Sequence, residues 1–309
     1  MNEGTSPEET QKKRIHEKIA ETFAKYEPIQ DNPPQIPRIA EEDSSIFRAE
    51  TSKATAPKTQ KPLAEVPASS IVSTGISGLD NMLGGGLPDH SLILIIGEEG
   101  SHYKTFVQQI LYNHIGDRGK AAYYLAESLS TDVSREMENF NWNLQDHLNK
   151  GTWRFINLKT PDLQQLATQA PALFQETSNI NLTKGLNNLK TDLLTKTKEE
   201  RWTALELSHI LHHHDLKEVM ELLLYWRAAT RVYGGIHFAL LPTGVHPENF
   251  ANALKHLADG NIEFHIREGP HEYDTLMAIK KMRNLLKPLM LPFTVEENGI
   301  VIETAARIT

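Results

Sequence analysis

Apolar positions in this chain recur with two periods, one typical of buried strands and one typical of amphipathic helices. Residues 92–96 form a short, branched, wholly apolar run, as in a buried parallel strand. A glycine-rich turn follows, and then a segment whose apolar residues fall on one helical stripe. The same patterns predict further strands at 121–125, 153–156, 202–207 and 236–241, and helices at 130–140, 216–233 and 247–257. Residues 161–200 are predicted to be mostly helical, with a break at Gly185.

The order of these elements indicates the fold class. Strands that alternate with helices predict an α/β domain whose mostly parallel sheet carries helices on both faces. Near the end of the chain the period changes to that of antiparallel strands, which are expected at 261–266, 273–280, 293–295 and 300–303. We expect these closing hairpins to extend one edge of the sheet.

Residues 1–70 have a different composition and are predicted to be a disordered, proline-rich tail before a domain at 71–309. The tail contains one predicted helix, at about 7–26, which begins at a capping box and carries Ile15, Ile19 and Phe23 at steps of four. One interpretation is a helix that lies on the domain or forms transiently. The other is a docking helix for a partner protein. The sequence favours neither.

Composition narrows the class of protein. The 309 residues carry a net charge of −8 and no cysteine, which excludes disulfides and thiolate metal sites and disfavours nonspecific nucleic-acid binding. No apolar run approaches the roughly 20 residues that span a bilayer, and the N-terminus does not resemble a secretory signal. We therefore expect a soluble, cytoplasmic protein without a membrane span.

The glycine turn after residues 92–96 is the main candidate for chemistry. A strand, a glycine turn and a helix form the architecture of a phosphate-binding loop. The working pattern requires a second glycine, a lysine and a hydroxyl residue, but those places hold His102, Tyr103 and Lys104. The sequence thus predicts a phosphate-loop scaffold whose chemistry has decayed or been re-purposed. Its candidate nucleotide contacts are Gly97, Gly100, Ser101, Lys104 and Thr105.

Several segments carry a family resemblance: TGISGLDNMLGGGLP, YYLAES, HLADGNIEF, IKKMRN and ENGIVIE. Together they resemble the KaiC-like branch of the RecA-type ATPase superfamily, from about residue 72 to residue 302. The resemblance implies a RecA-like sheet with a C-terminal antiparallel extension, ATP as the ligand, and a homo-oligomer that binds nucleotide between neighbours. Within the branch, GGGLPDHSLILIIGEEG and TGVHPENF are most similar to FlaH of the archaellum motor, and the RecA-like subunits of Elongator are a rival relative.

The resemblance also implies a role for individual positions. Tyr103 stands at the phosphate-loop lysine, and Lys104 at the hydroxyl that would hold magnesium. Of the family's pair of catalytic glutamates only Glu127 is present, as the candidate base, because Ala126 occupies the other place. The metal-binding aspartate at the end of a later strand is replaced either by Glu206 or by a leucine, and the sequence leaves this open.

The late Lys-x-Arg pair of the family, which reaches the nucleotide of a neighbouring subunit, is intact as Lys281 and Arg283. We expect this pair to meet an acidic surface or a retained anion across a subunit boundary. Glu98 and Glu99 of the opposing loop are the candidate partners.

Three functions follow as alternatives. The first is a non-hydrolysing, oligomeric scaffold or regulator that binds partner proteins. The second is an ATP-binding protein or weak ATPase of a FlaH-like motor or signalling complex, in which Lys104 and Thr105 slide into the loop through a one-residue bulge. The third is an Elongator-like subunit or a nucleic-acid-associated paralogue. Whether the site holds ATP, with or without magnesium, stays open.

A histidine cluster at residues 209–214 is the remaining candidate. His209 and His213 are four residues apart and would clamp a metal on one helical face. The interpretation we favour is a solvated helix start in which Asp215 caps the following helix, so no metal site is predicted.

Overall fold

The computed structural model describes residues 70–159, 178–183, 185–199, 201–269, 273–283 and 285–303. The predicted helix at 7–26, with its apolar stripe, lies outside these residues. The helices are α1 (Ser77–Leu83), α2 (Tyr103–Gly116), α3 (Ser130–Glu138), α4 (Gln145–Asn149), α5 (Asn187–Lys198), α6 (Ser208–His213), α7 (Leu216–Tyr233) and α8 (Glu248–Leu257).

The strands are β1 (Ile71–Val72), β2 (Leu87–Pro88), β3 (Ser91–Gly97), β4 (Lys120–Leu125), β5 (Trp153–Lys159), β6 (Ser178–Asn181), β7 (Arg201–Glu206), β8 (Ile236–Pro242), β9 (Gly260–Glu268), β10 (Tyr273–Lys281), β11 (Leu289–Glu296) and β12 (Gly299–Ile302). Strands β1 and β2 form a small antiparallel pair. The other ten form one sheet in the order β12-β11-β10-β9-β3-β8-β7-β4-β5-β6.

The sheet is parallel from β9 through β6, and its last three strands are antiparallel. All seven residues of β3 are buried, because helices cover both faces of the strand. Helices α2 and α3 contribute to the apolar core on one face, and α5, α7 and α8 to the core on the other. The predicted fold class is thereby confirmed, including the edge extended by the closing hairpins.

Some elements differ from the prediction. Residues 178–181 lie in the predicted helical region but form the edge strand β6. Its sequence, Ser-Asn-Ile-Asn, has one buried apolar residue, so no strand period is visible. The short helices α1 and α6 were not predicted either, because one or two turns are too short for a helical period to stand out. In the part of the chain that the structure describes, no helix is long and apolar enough to cross a membrane.

Candidate functional site

The sheet brings three chain segments together at the carboxyl ends of its parallel strands. The glycine turn follows β3, residues 126–129 follow β4, and Glu206 is the last residue of β7. The crevice beyond the carboxyl ends of parallel strands is the usual place for ligands in open α/β sheets. The residues of interest therefore lie where this topology predicts a binding site.

Hydrogen bonds to neighbouring strands hold the glycine turn. The backbone N–H of Thr243 donates to Gly97 O at 2.8 Å, and that of Glu98 donates to Phe264 O at 3.3 Å. Within the turn, the buried hydroxyl of Ser101 donates to Glu98 O at 2.6 Å. His102 has a φ of 59°, a left-handed conformation that favours glycine, directly before helix α2. The turn is a preformed loop that leads into the N-terminus of a helix.

Tyr103 is the first residue of α2, and its ring lies against the first glycine of the turn. A Cβ added at Gly97 would be 2.3 Å from the nearest ring carbon of Tyr103, so only glycine fits beneath this side chain. The ring is 4% exposed, and burial, with Glu127 and Glu206 nearby, raises the pKa of its hydroxyl. Helix α2 begins at Tyr103, so Lys104 is its second residue.

Glu206 is the buried carboxylate of the site. One oxygen, Oε2, accepts the backbone N–H groups of Ala126, Glu127 and Ser128 at 2.9, 2.8 and 3.2 Å. The other, Oε1, accepts the hydroxyl of Ser128 at 2.7 Å. Of the two residues that the sequence left as alternatives, Glu206 faces the site and Leu207 belongs to the apolar core.

Lys104 places its ammonium group between two carboxylates. Its Nζ lies 3.5 Å from Glu206 Oε1 and 3.8 Å from Glu127 Oε2, and it donates to Ser128 Oγ at 3.3 Å. Burial alone would lower the pKa of Lys104, but Glu206 and Glu127 outweigh it, and the pKa is raised. Burial and Glu206 raise the pKa of Glu127, against the opposing effect of Lys104. Sequence reasoning missed Ser128, although a hydroxyl directly after Glu127 was a visible signal.

A cleft of about 380 Å³ opens beside the loop and is large enough for a small ligand. Its lining includes Glu99, His102, Lys104, Thr105, Glu136 and Phe140. Of the candidate contacts, Gly100, Lys104 and Thr105 line this cleft, whereas Gly97 lies under Tyr103 and Ser101 is fully buried. The carboxylate oxygens of Glu127 and Glu206 are the candidate ligands for a magnesium ion. They do not suit one in this arrangement, because the Lys104 ammonium group already lies beside them.

Lys281 and Arg283 have partners within the chain. Lys281 Nζ donates to the carbonyl oxygens of Lys255, His256 and Ala258, at the C-terminal end of α8. Arg283 donates to Asp89 O, His90 O and Ser91 Oγ, next to the start of β3. Each cation thus has a structural role, and its contact with a neighbouring subunit's nucleotide stays a prediction.

Glu98, one of the two acids expected to meet that pair, also has partners in the same chain. Its Oε1 lies 3.1 Å from His265 Nδ1, and Oε2 accepts the backbone N–H of Ile266 at 3.4 Å. The His265 ring in turn has Nε2 3.6 Å from Glu263. These contacts tie the glycine turn to β9.

The histidine cluster lies on and after α6, close to the site. The His209 and His213 rings meet edge to face, with centroids 4.7 Å apart. Asp215 caps α7 as predicted, since its side chain accepts the backbone N–H of Glu218 at 2.8 Å. Among the residues placed by the structure, no group of three or more His, Asp or Glu side chains is arranged to hold a metal ion.

The sheet order, the loop between β3 and α2, and the carboxylate at the end of β7 define a RecA-type α/β domain. The family model described as "ATPase: KaiC" matches residues 72–307, so the chain belongs to the KaiC-like ATPase family. Nucleotide binding is a general property of that family.

Known proteins share the sequence and the fold. A UPF0273 protein of Thermotoga maritima is 23% identical over 236 residues, which cover 75% of this chain and 95% of the relative. The crystal structure of a KaiC-like protein of Pyrococcus horikoshii aligns with a TM-score of 0.61 and 19% identity, over 76% of this chain and all of that one. The crystal structure of the flagellar accessory protein FlaH of Methanocaldococcus jannaschii aligns with a TM-score of 0.56 and 17% identity, over 77% of this chain and all of that one.

Proposed function

We propose that this chain is a non-hydrolysing member of the KaiC-like family that serves as an oligomeric scaffold or regulator. The supporting observation is the ring of Tyr103, which lies on Gly97 where a phosphate loop needs the stem of its lysine. That lysine supplies charge to the transferring phosphate, and phosphoryl transfer depends mostly on such electrostatic terms. A neutral, buried phenol cannot supply this charge.

A second candidate function is ATP binding with weak or no turnover, as in a FlaH-like motor or signalling complex. The cleft beside the loop favours it, since Lys104 and Thr105 line the cleft next to the N-terminus of α2. Glu99 and Glu136 in the same lining oppose a polyphosphate, because two carboxylates face one ammonium group. ATP is therefore proposed as a weak ligand at most.

Assembly and partner binding complete the proposal. The family resemblance supports a homo-oligomer, and the predicted stripe of Ile15, Ile19 and Phe23 supports a docking helix for a partner protein. A net charge of −8 argues against an Elongator-like or other nucleic-acid-associated role. We also propose that the protein is located in the cytoplasm.

The experiment that tests it measures ATP affinity by calorimetry and phosphate release by a coupled assay, at millimolar ATP with magnesium. We expect no turnover above background from the wild type. A variant that rebuilds the loop pattern, His102→Gly with Tyr103→Lys and Lys104→Ser, should gain magnesium-dependent ATP affinity. Lys217→Ser, on the exposed side of α7, is a control for the loss of one lysine.

One outcome would overturn the proposal. Magnesium-dependent hydrolysis by the wild type that disappears in Glu127→Gln would make Glu127 a working base and the protein an ATPase. ATP binding without hydrolysis would agree with a non-hydrolysing protein and would favour ATP as its ligand, as in the second candidate function.

A further inference from the structure

We propose that the Lys104 ammonium is the resident cation of this site. It takes the place of a divalent metal among Glu206, Glu127 and Ser128, so that this site holds no metal ion. The inference deepens the proposed function and rests on it, because a site that holds no metal lacks a main electrostatic requirement of phosphoryl transfer.

The geometry around Nζ matches what an ammonium group requires. It has three N–H donors and no acceptor, and it has three oxygen partners at 3.3, 3.5 and 3.8 Å. Ser128 Oγ donates its own hydrogen to Glu206 Oε1 at 2.7 Å, and its lone pairs stay available to Lys104. The three oxygens come from the loop after β4 and the end of β7, and helix α2 supplies the cation.

Charge makes the Lys104 ammonium and a divalent ion compete for these oxygens when no ligand is bound. Glu127 and Glu206 together carry two negative charges when ionised, and Lys104 neutralises one of them. A divalent ion added beside Lys104 would place like charges a few ångströms apart in a partly buried site, which is strongly unfavourable. The metal would therefore have to displace the ammonium group.

The surroundings hold the carboxylate in place for Lys104. Glu206 is 1% exposed, and its Oε2 is already used by three backbone N–H groups, so only Oε1 faces the cation. Lys104 follows directly after the buried Tyr103 at the start of α2, which fixes the base of its side chain. Both partners are anchored before any ligand arrives.

The test uses Mn²⁺ alone, without nucleotide, and counts bound metal by electron paramagnetic resonance on the full-length protein. Wild type should show no Mn²⁺ binding that depends on Glu206. Lys104→Ser removes the ammonium, leaves two carboxylates to balance a divalent charge and offers another oxygen. It should therefore bind one Mn²⁺ per chain. Adding Glu206→Gln should weaken that binding by more than about 10-fold, the scale on which metal sites lose affinity with a key partner.

One control and two contrary outcomes complete the Mn²⁺ experiment. Lys217→Ser removes a lysine elsewhere and should behave as the wild type. Wild-type Mn²⁺ binding that is lost in Glu206→Gln overturns the inference, as does a folded Lys104→Ser that gains none. If Lys104→Ser does not fold, Lys104→Gln replaces it in the test, because glutamine keeps much of the lysine stem without the charge. The comparison of the wild type with Glu206→Gln tests the inference independently of either variant. Since no ATP is present, a failure here is distinguishable from a failure of the proposed function, which phosphate release tests.

Discussion

The carboxylate of Glu206 accepts the backbone N–H of Glu127 at 2.8 Å, which joins the end of β7 to the loop after the adjacent strand β4. Through this bond Glu206 also fixes the backbone of Glu127, the candidate base. One residue therefore serves both the electrostatics of the site and the shape of its loop.

We expect Glu206→Ala to destabilise the domain strongly. The change removes the acceptor for three backbone N–H groups and the Ser128 hydroxyl, and leaves the Lys104 ammonium without its closest carboxylate. Breaking such a buried pair costs about 3–5 kcal/mol, or roughly 10 °C in melting temperature for a domain of this size. Urea and thermal unfolding measure the loss. Glu297→Ala, in the exposed turn before β12, is the control, and an equal effect of both variants would contradict the prediction.

We expect the stability to fall with acid partly through His237. Burial lowers the pKa of this imidazole to about 4 from its ordinary 6.5, against a smaller opposing effect of its bond to Gly234 O. The unfolded chain then binds the proton more tightly than the folded one. The contribution of neutral His237 to the free energy of unfolding is therefore complete above pH 6.5. It is lost as the pH falls towards 4, and the loss amounts to at most about 3 kcal/mol.

The non-titrating variant His237→Gln isolates this effect. Its unfolding free energy should depend less on pH between 6.5 and 4 than that of the wild type. His114, whose pKa burial also lowers to about 4, is present in both proteins and cancels in the comparison. Equal pH slopes for the two proteins would show that His237 does not carry the effect.

We expect Arg283→Ala to weaken the fold of the single chain. Its guanidinium donates to Asp89 O, His90 O and Ser91 Oγ, and hydrogen bonds from a charged donor contribute about 2 kcal/mol. Denaturant unfolding should show that loss, and Arg267→Ala, an exposed position on β9, should not.

The same variant bears on assembly, because Arg283 is also the predicted contact with a neighbouring subunit. Sedimentation of the wild type at tens of micromolar, the concentration range of ordinary weak interfaces, should give an oligomer. The substitution Arg283→Glu should weaken it. A monomeric wild type would remove the basis for a subunit contact and leave Arg283 only its role inside the chain.

Deletion of residues 1–65 should leave the melting temperature nearly unchanged. The prediction rests on composition alone, since a proline-rich, charged segment buries little apolar surface. Differential scanning calorimetry of the truncated and full-length proteins measures the difference. A fall of many degrees would show that the stripe of Ile15, Ile19 and Phe23 packs against the domain.

The sequence alone determined the fold class and the approximate place of most of the longer elements, because these depend on the local period of apolar residues. Helix α7 has the bounds predicted for it, and the glycine turn after β3 lies where its strand and helix require. The sequence also located Glu127 and Lys104 near one loop. It did not reveal β6, whose single buried apolar residue leaves no pattern to read.

The tertiary structure decided which side chains meet. Glu206 and Ser128 are 78 residues apart, and they come together only because β4 and β7 are neighbours in the sheet. The register of that pairing turns Glu206 towards the site and leaves Leu207 in the core. The partners of Lys104, Lys281 and Arg283 are likewise distant in sequence, so no local period could indicate them. Lateral strand order, which results from packing of the whole chain, sets the chemistry of this site.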